Sequence, residues 1–306
     1  MNLRGCGTAL VTPFRKDQSV DEARLRELVE WQVASGIGFL VPCGTTGETP
    51  TLNRDEWLRV IDITIEVVAR RTPIVAGATS NATADAVEKA REVAKRKGVD
   101  AILTASPYYN KPTQEGQYQH FKAIAEAVDK PLVLYSVQGR TATNLEPATL
   151  GRLAKIPNII AVKEASGNMT QIAEVFNHVP ENFLVFSGDD AVTLPLISLG
   201  GVGIISVVSN EIPKEMSELT NAALNNDWQK ARKIHRKYLP LMLGNFIESS
   251  PMPVKAVLAM MGKIEEVYRL PMVPVKPETR ARLRQIATDV GVLKSSSMVS
   301  EPAVHA

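Results

Sequence analysis

Hydrophobic and polar positions follow two different periods along the chain, from residue 6 to about residue 225. Short runs of apolar and β-branched residues, typical of buried strands, are separated by longer segments in which apolar residues recur at helical spacing. The segments between the runs predict helices, as in the apolar stripe from Leu25 to Val33. The runs predict eight strands, at Gly7–Val11, Gly38–Val41, Ile74–Ala78, Ala101–Thr104, Leu132–Ser136, Ile159–Lys163, Phe183–Ser187 and Gly203–Val207.

The ends of several helices are marked by residues that satisfy free backbone groups. A hydroxyl or amide side chain followed three residues later by glutamate has the spacing of a capping box, and glycine is favoured just after a helix. These signals predict helix starts at Ser19 with Glu22 and at Asn53 with Glu56, and helix ends at Gly36 and Gly98.

Eight alternations of an apolar strand with a helix predict a parallel sheet covered by helices. That number closes most naturally into a (β/α)₈ TIM barrel of the α/β class. The alternative is a doubly wound open sheet. The dinucleotide-binding form of that fold requires a G-x-G-x-x-G turn, which Gly200–Gly203 does not match. We interpret these glycines instead as a tight turn into the eighth strand.

Beyond residue 225 the pattern changes to helices without strands, predicted at Asp227–Leu243, Val254–Met261 and Pro277–Val290. We therefore divide the chain into a catalytic barrel at residues 1–225 and a C-terminal helical region at residues 226–292. Residues 293–306 have little to bury and are predicted to form a disordered tail.

Composition narrows the classes of function. Of the 306 residues, 44% are hydrophobic, and 35 basic against 33 acidic residues give a net charge of 35 − 33 = +2. This balance gives no electrostatic basis for binding nucleic acid or a membrane surface. Residues 1–6 lack the apolar core of a signal peptide, so we expect a cytoplasmic protein with Cys6 and Cys43 reduced. The four histidines have no metal-ligand spacing, and no metal is predicted.

Lys163 is the first candidate for chemistry, because it ends the apolar run that begins at Asn158. A buried ammonium loses hydration, so its neutral and nucleophilic form becomes more accessible, as imine formation with a carbonyl substrate requires. The alternative is an ion pair between Lys163 and a carboxylate at the strand edge.

Other polar residues also follow the carboxyl ends of the predicted strands, the face that carries the active site in barrel enzymes. Tyr135 ends the strand next to that of Lys163 and is a candidate proton relay, or else a core tyrosine with a satisfied hydroxyl. Arg140 is a candidate clamp for a substrate carboxylate, or else a surface partner of Glu146 or Glu164. The same face is predicted to carry Gly44–Glu48, Ser106–Asn110 and Gly188–Asp190.

Two of these loops have further alternatives. Thr45 and Thr46 lie between glycines that let backbone amides approach a ligand, which suits a small carboxylate or phosphate, although an ordinary hydroxyl-capped loop has the same composition. Tyr108 and Tyr109 are adjacent aromatics, as expected at a ligand site or subunit interface, or in a lid packed on the barrel rim.

The chain resembles the dihydrodipicolinate synthase family of the pyruvate-dependent class I aldolase superfamily, from about residue 5 to about residue 275. The segments that carry the resemblance are Gly7–Phe14, Cys43–Glu48, Pro107–Pro112, Gln119–Phe121, Gly139–Thr141, Val162–Gly167, Ser187–Asp190 and Pro253–Lys255. The resemblance implies a TIM barrel with a C-terminal helical region, assembled as a homotetramer that is a dimer of dimers.

The resemblance also implies roles for individual residues. Lys163 matches the lysine that forms a Schiff base with pyruvate, and Tyr135 matches the proton-relay tyrosine. Thr45 matches the threonine that links this tyrosine to a second one, matched by Tyr109, which a neighbouring subunit supplies. The substrate-binding residues expected from the match are Thr46, Arg140, Gly188 and Ile205.

The implied reaction joins pyruvate to L-aspartate 4-semialdehyde through an enamine on Lys163, with no dissociable cofactor because the imine is itself the electron sink. One alternative keeps this chemistry with another aldehyde, as in N-acetylneuraminate lyase or a related 2-oxo acid aldolase. A second is a non-catalytic ligand-binding barrel.

The sequence departs from the family pattern at Ser136, Gln138 and Ser250, which we expect to loosen the loop that aims Arg140 and to remove an amide near the site. Many family members are inhibited by lysine in a cleft between subunits. There Asn81, Asp85 and Tyr108 remain able to bind an amino acid. The usual residues at two other positions are replaced by Arg54 and Trp57. Because Arg54 repels a lysine side chain, we predict weak or absent lysine inhibition.

Overall fold

The computed structural model describes residues 3–294. The predicted tail therefore lies almost entirely outside the described residues. The strands are β1 (Gly5–Ala9), β2 (Phe39–Val41), β3 (Val75–Gly77), β4 (Ala101–Ala105), β5 (Leu132–Ser136), β6 (Ile159–Glu164), β7 (Leu184–Ser187) and β8 (Gly203–Ser206). The helices are α1 (Glu22–Ala34), α2 (Arg54–Val68), α3 (Thr83–Ala94), α4 (Gln114–Glu126), α5 (Gln138–Thr141), α6 (Pro147–Leu153), α7 (Met169–His178), α8 (Thr193–Ser198), α9 (Pro213–Leu224), α10 (Trp228–Gly244), α11 (Met252–Met260) and α12 (Pro277–Asp289).

The strands form one parallel sheet in the order β2-β1-β8-β7-β6-β5-β4-β3, so the first and last strands in sequence lie side by side. The two ends of the sheet meet where Leu40 bridges Ile74 and where the Gly77 amide donates to the Pro42 carbonyl at 3.0 Å. This closure confirms the predicted TIM barrel. The open doubly wound alternative is wrong, because the two strands at the ends of an open sheet do not pair, whereas β2 and β3 are joined here.

Two of the predicted helix ends are wrong. The start of α1 is capped by Asp21, whose carboxylate accepts from the Arg24 amide at 3.1 Å, while the Ser19 hydroxyl donates to Asp17. Gly98 is not a C-cap, because α3 ends at Ala94 with Lys95 as its C-cap. A Cβ at Gly98 would meet the Ile65 side chain at 2.2 Å, so this glycine allows close packing instead. The capping box at the start of α2 is confirmed, and Gly36, with φ +78°, follows the C-cap of α1.

Alternate residues of each strand face the barrel interior or the surrounding helices. The interior holds a compact apolar cluster that includes Phe39, Val133, Ala161 and Phe186, and the rings of Phe39 and Phe186 lie 5.3 Å apart. A larger cluster fills the space between the strands and the helices. Because β6 alternates, Lys163 shares the inward face with Ala161, so the barrel itself places this amine in an apolar environment.

The C-terminal helices pack on the barrel. In α11, Val254 and Leu258 are fully buried against Leu28 of α1 and Val207 after β8. The two cysteines are buried and unbridged, and burial raises the pKa of both thiols. None of the helices within residues 3–294 has the length and apolar character needed to span a membrane.

Candidate active site

A cavity of about 340 Å³ opens at the carboxyl ends of β2 to β5 and is closed on one side by the C-terminal region. Thr45, Tyr108, Tyr135 and Arg140, all predicted site residues, line it. The C-terminal region contributes Ser250, Pro251, Pro271 and Met272 to the wall. The predicted convergence of polar residues on this face is therefore found in the structure.

Lys163 lies directly behind this wall, because it is paired in register with Tyr135 on the neighbouring strand. Its Nζ is 4.2 Å from the centre of the Tyr135 ring, and the residue is only 4% exposed. Burial lowers its pKa from 10.5 to about 7; the negative charge of Asp190 opposes this change and the positive charge of Arg140 adds to it. Among the described residues it makes no ion pair, so the strand-edge ion pair is wrong.

Tyr135 is buried at 6% exposure and contributes its ring to the cavity wall. Burial raises the pKa of its phenol to about 12, while the positive charge of Arg140 lowers it. A phenol with this pKa keeps its proton at neutral pH. The hydroxyl is therefore a proton donor at this pH.

Asp190 is a residue whose role sequence reasoning missed. It is 2% exposed at the end of β7, where its Oδ1 accepts from the Ser206 hydroxyl at 2.5 Å and its Oδ2 accepts from the amides of Val207 and Val208. Burial raises its pKa to about 6, and these hydrogen bonds oppose that rise. Its sequence signals were its position shortly after a predicted strand and its place in Ser187–Asp190, one of the segments that carry the resemblance.

Gly188 lies beside Lys163, and Ile205 belongs to the apolar cluster of the barrel interior, but neither lines the cavity. The Gly188 amide donates to the Glu164 carbonyl at 2.7 Å. A Cβ at Gly188 would lie 2.7 Å from the Ala165 side chain and 3.1 Å from Cε of Lys163, so a larger residue would displace the lysine. Ile205 is buried in the same apolar cluster as Tyr135.

The loop after β2 forms a 3₁₀ turn over Thr45–Gly47. Thr45 is exposed in the cavity, whereas Thr46 is 6% exposed. No hydrogen bond joins the Thr45 and Tyr135 hydroxyls among the described residues. Glu48, at the end of the turn, pairs with Lys255. Neither residue was among the predicted site residues, although both lie in segments that carry the resemblance.

Arg140 lies in the single turn of α5, and its Nη2 donates to the Ser250 carbonyl at 3.1 Å. It pairs with neither of the predicted surface carboxylates, so that alternative is wrong. Thr141 anchors the turn through hydrogen bonds from its hydroxyl to the carbonyls of Val137 and Thr143. Ser250 lines the cavity and contacts Arg140 through its backbone.

The other two departures from the family pattern lie outside the cavity. Ser136 is buried, and its hydroxyl accepts from the Leu145 amide at 3.4 Å on the outer side of β5. Gln138 is exposed. The expected loosening of the loop stays a prediction.

The adjacent tyrosines point in different directions. Tyr108 is 40% exposed and lines the cavity, whereas Tyr109 is 88% exposed and does not. Tyr109 also has a left-handed backbone, with φ 73°, a conformation that is uncommon for a bulky residue. Packing on the barrel rim therefore does not describe Tyr109.

A second cavity of about 230 Å³ lies beside the first, and Thr49 and Lys89 line both. Of the three residues predicted for a lysine site, Asp85 lines this cavity, while the Asn81 side chain donates to the Tyr108 carbonyl at 3.3 Å. Arg54 and Trp57 also line the second cavity. The guanidinium of Arg54 pairs with Glu92 at 2.7 Å, which partly neutralises the charge on which the prediction of weak lysine inhibition rests.

Comparison with known proteins agrees with this geometry. The model of the dihydrodipicolinate synthetase family matches residues 2–290. The chain belongs to this family. Within residues 3–294 no group of three or more histidine, cysteine or acidic side chains is placed to hold a metal ion.

Relatives of known name match over almost their whole length. A 4-hydroxy-tetrahydrodipicolinate synthase of Koribacter versatilis is 72% identical over 298 residues, which cover 97% of this chain and 99% of the relative. One of Acidobacterium capsulatum is 60% identical, over 96% of this chain and 97% of the relative. The crystal structure of the chloride-inhibited dihydrodipicolinate synthase from Acinetobacter baumannii complexed with pyruvate is 43% identical with a TM-score of 0.93, and the match covers 95% of this chain and 100% of that chain.

Proposed function

We propose that this chain is a 4-hydroxy-tetrahydrodipicolinate synthase, the lyase of lysine and diaminopimelate biosynthesis that condenses pyruvate with L-aspartate 4-semialdehyde. The observation that carries the proposal is Lys163, a buried amine with a pKa of about 7 and no ion-pair partner within residues 3–294. It lies beside the ring of Tyr135, which lines the cavity. Relatives at 72% and 60% identity that carry this name support it.

The first step is addition of the neutral Lys163 amine to C2 of pyruvate, which forms a C–N bond and turns the carbonyl oxygen into a hydroxyl. Loss of that oxygen as water leaves an imine, and we assign to Tyr135, the neighbour of Lys163 on β5, the supply of the proton that the leaving oxygen needs. The protonated imine withdraws electrons from the methyl carbon, which loses a proton and becomes an enamine. The enamine carbon then attacks the aldehyde of the second substrate.

Ring closure through the second substrate's own amino group, which displaces the Lys163 nitrogen from C2, releases the product and regenerates the lysine. Each stage moves protons, a task that we assign to the hydroxyls of Tyr135, Thr45 and Tyr109. No dissociable cofactor enters this sequence of steps, because the imine holds the electron pair.

Substrate binding is assigned to groups around the cavity. Thr46 and the amides of its loop hold the pyruvate carboxylate, with Gly188 and Ile205 shaping the space beside Lys163. Arg140, which lines the cavity, receives the carboxylate of the semialdehyde.

We further propose that Tyr109 completes the site of a neighbouring subunit in a homotetramer. Its 88% exposure and left-handed backbone support this assignment, since Tyr109 does not line the cavity of its own chain. The cavity of one chain is then incomplete without its neighbour.

The alternative aldolases use the same imine, so the second substrate distinguishes them. A cationic clamp at Arg140 favours an aldehyde that carries a carboxylate, as L-aspartate 4-semialdehyde does. A sugar-accepting lyase has less use for such a clamp, and the relatives of high identity are not lyases of that name.

The test is reduction with borohydride in the presence of pyruvate, followed by peptide mass spectrometry. We expect a single reduced pyruvate adduct on Lys163 and none in Lys163→Met. Turnover assays then compare L-aspartate 4-semialdehyde with N-acetylneuraminate. An intact protein that gives no adduct would overturn the aldolase mechanism, and turnover of N-acetylneuraminate alone would overturn the choice of substrate.

A further inference from the structure

The loop after β2 is joined to the C-terminal region by a fully buried ion pair. Nζ of Lys255, on α11, lies 2.5 Å from Oε1 of Glu48, and the two side chains are 0% and 1% exposed. The ammonium also faces the rings of Phe14 and Tyr268, with 4.4 and 5.2 Å to their centres. Residues 207 positions apart in sequence are thus linked beside the cavity, which Glu48 itself lines.

Glu48 occupies a strained position. Its φ of 52° is left-handed, a conformation that costs free energy for a residue with a Cβ and that persists when surrounding contacts hold it. It lies between two 3₁₀ turns, Thr45–Gly47 and Thr49–Thr51. Its amide donates to the Thr45 carbonyl at 3.1 Å, so the backbone of Glu48 and the position of Thr45 are connected.

Stability alone is a poor explanation for such a pair. Two charges lose their hydration on burial, and apolar residues of similar volume often replace a buried pair without loss of stability. Here the desolvation is not fully compensated, because Oε2 of Glu48 is buried with no hydrogen-bond partner among the described residues. A buried pair with an unsatisfied oxygen next to a cavity indicates a positional role.

We propose that Glu48 and Lys255 are positioning residues that hold the Thr45–Glu48 loop in the conformation that binds the carboxylate of pyruvate. This inference rests on the proposed function. Neither residue acts on the reacting atoms: Lys255 fixes Glu48, and Glu48 fixes the turn that carries Thr45 and Thr46. The C-terminal helical region thereby sets the affinity of the barrel for pyruvate.

The decisive variant is the double substitution Glu48→Gln with Lys255→Met, which removes both charges and leaves neither buried alone. Pyruvate concentration is varied, and the adduct on Lys163 is trapped with borohydride and counted. We expect the double variant to unfold at a denaturant concentration close to that of the unchanged protein. We expect its half-saturating pyruvate concentration to be at least about tenfold higher, with the same full labelling at saturation, since a small displacement of a binding group has effects of this size.

A matched control removes an exposed glutamate–lysine ion pair that joins α9 and α10. Glu218→Gln with Lys230→Met makes the same chemical changes in this exposed pair, and we expect unchanged half-saturation. If the double variant at Glu48 and Lys255 does not fold, Lys255→Arg keeps the charge but moves it, and the same rise in half-saturation is expected.

The outcomes separate this inference from the proposed function. Absence of the adduct in the unchanged protein overturns the proposed function, and the positioning role with it. An adduct in the unchanged protein, with the same half-saturation in a folded Glu48 and Lys255 variant, overturns the positioning role alone. An equal rise in the Glu218 and Lys230 control also overturns it, because the effect would then not depend on the buried pair.

Discussion

The lowered pKa of Lys163 predicts how fast the imine forms at different pH values. Burial lowers this pKa from 10.5 to about 7. At pH 7 about half of the amine is neutral, against roughly one part in three thousand for a lysine with the ordinary value. Only the neutral amine is nucleophilic, so the rate of imine formation should follow its fraction.

The expected profile has two parts. Below pH 7 the rate at low pyruvate rises about tenfold per pH unit, because the neutral fraction does so. Above pH 8 the amine is almost fully neutral, and the rate becomes nearly independent of pH. Samples are incubated with pyruvate at each pH and withdrawn over time into one common borohydride solution, so that reduction always occurs at the same pH.

Two variants test the electrostatic causes in opposite directions. Arg140→Ala removes a positive charge that lowers the pKa of Lys163, so the inflection should move to higher pH. Asp190→Asn removes a negative charge that raises this pKa, and the inflection should move to lower pH. Glu218→Gln is a matched control, since it removes an exposed carboxylate that pairs with Lys230 and should leave the profile unchanged.

A rate that keeps rising tenfold per unit through pH 9 would refute the reasoning, because Lys163 would then titrate like an exposed lysine. Shifts in the same direction for Arg140→Ala and Asp190→Asn would show that structural damage, rather than charge, moves the profile.

Three further predictions follow. The first concerns stability, because Lys163 has a pKa of about 7 in the folded chain and 10.5 in the unfolded chain. Below pH 7 both states bind the proton, and the buried ammonium lowers the free energy of unfolding by up to about 5 kcal/mol. This penalty decreases between pH 7 and pH 10.5, where the folded chain has lost the proton and the unfolded chain keeps it. Lys163→Met should therefore resist urea better than the unchanged protein at pH 6, with a smaller gain at pH 9; a gain independent of pH would contradict this. Mixing inactive Tyr109→Ala and Lys163→Met chains, after dissociation and reassembly, should restore part of the activity if Tyr109 acts in a neighbouring site, and mixtures without activity would contradict its assignment. Lysine should inhibit weakly, and half-inhibition at a sub-millimolar concentration would show that Arg54, paired with Glu92, does not exclude it.

The sequence by itself determined the fold and the face on which the candidate site lies. Apolar runs alternating with helical segments specify strands buried on both faces, and eight of them close into a barrel. Because parallel strands end on one face, the positions of Tyr135, Arg140 and Lys163 followed from strand ends alone. Strand burial and the ends of strands are local properties, and the hydrophobic periodicity of the sequence shows them directly.

Tertiary structure alone decided the electrostatics. The pKa of Lys163 depends on how completely the barrel excludes water and on the charges of Asp190 and Arg140, which come from different strand ends. The pairing of Glu48 with Lys255 joins residues far apart in sequence, and no periodic pattern records such a contact. The sequence could place these side chains on elements, but burial and distance, which set their charge states and partners, exist only once the chain is folded.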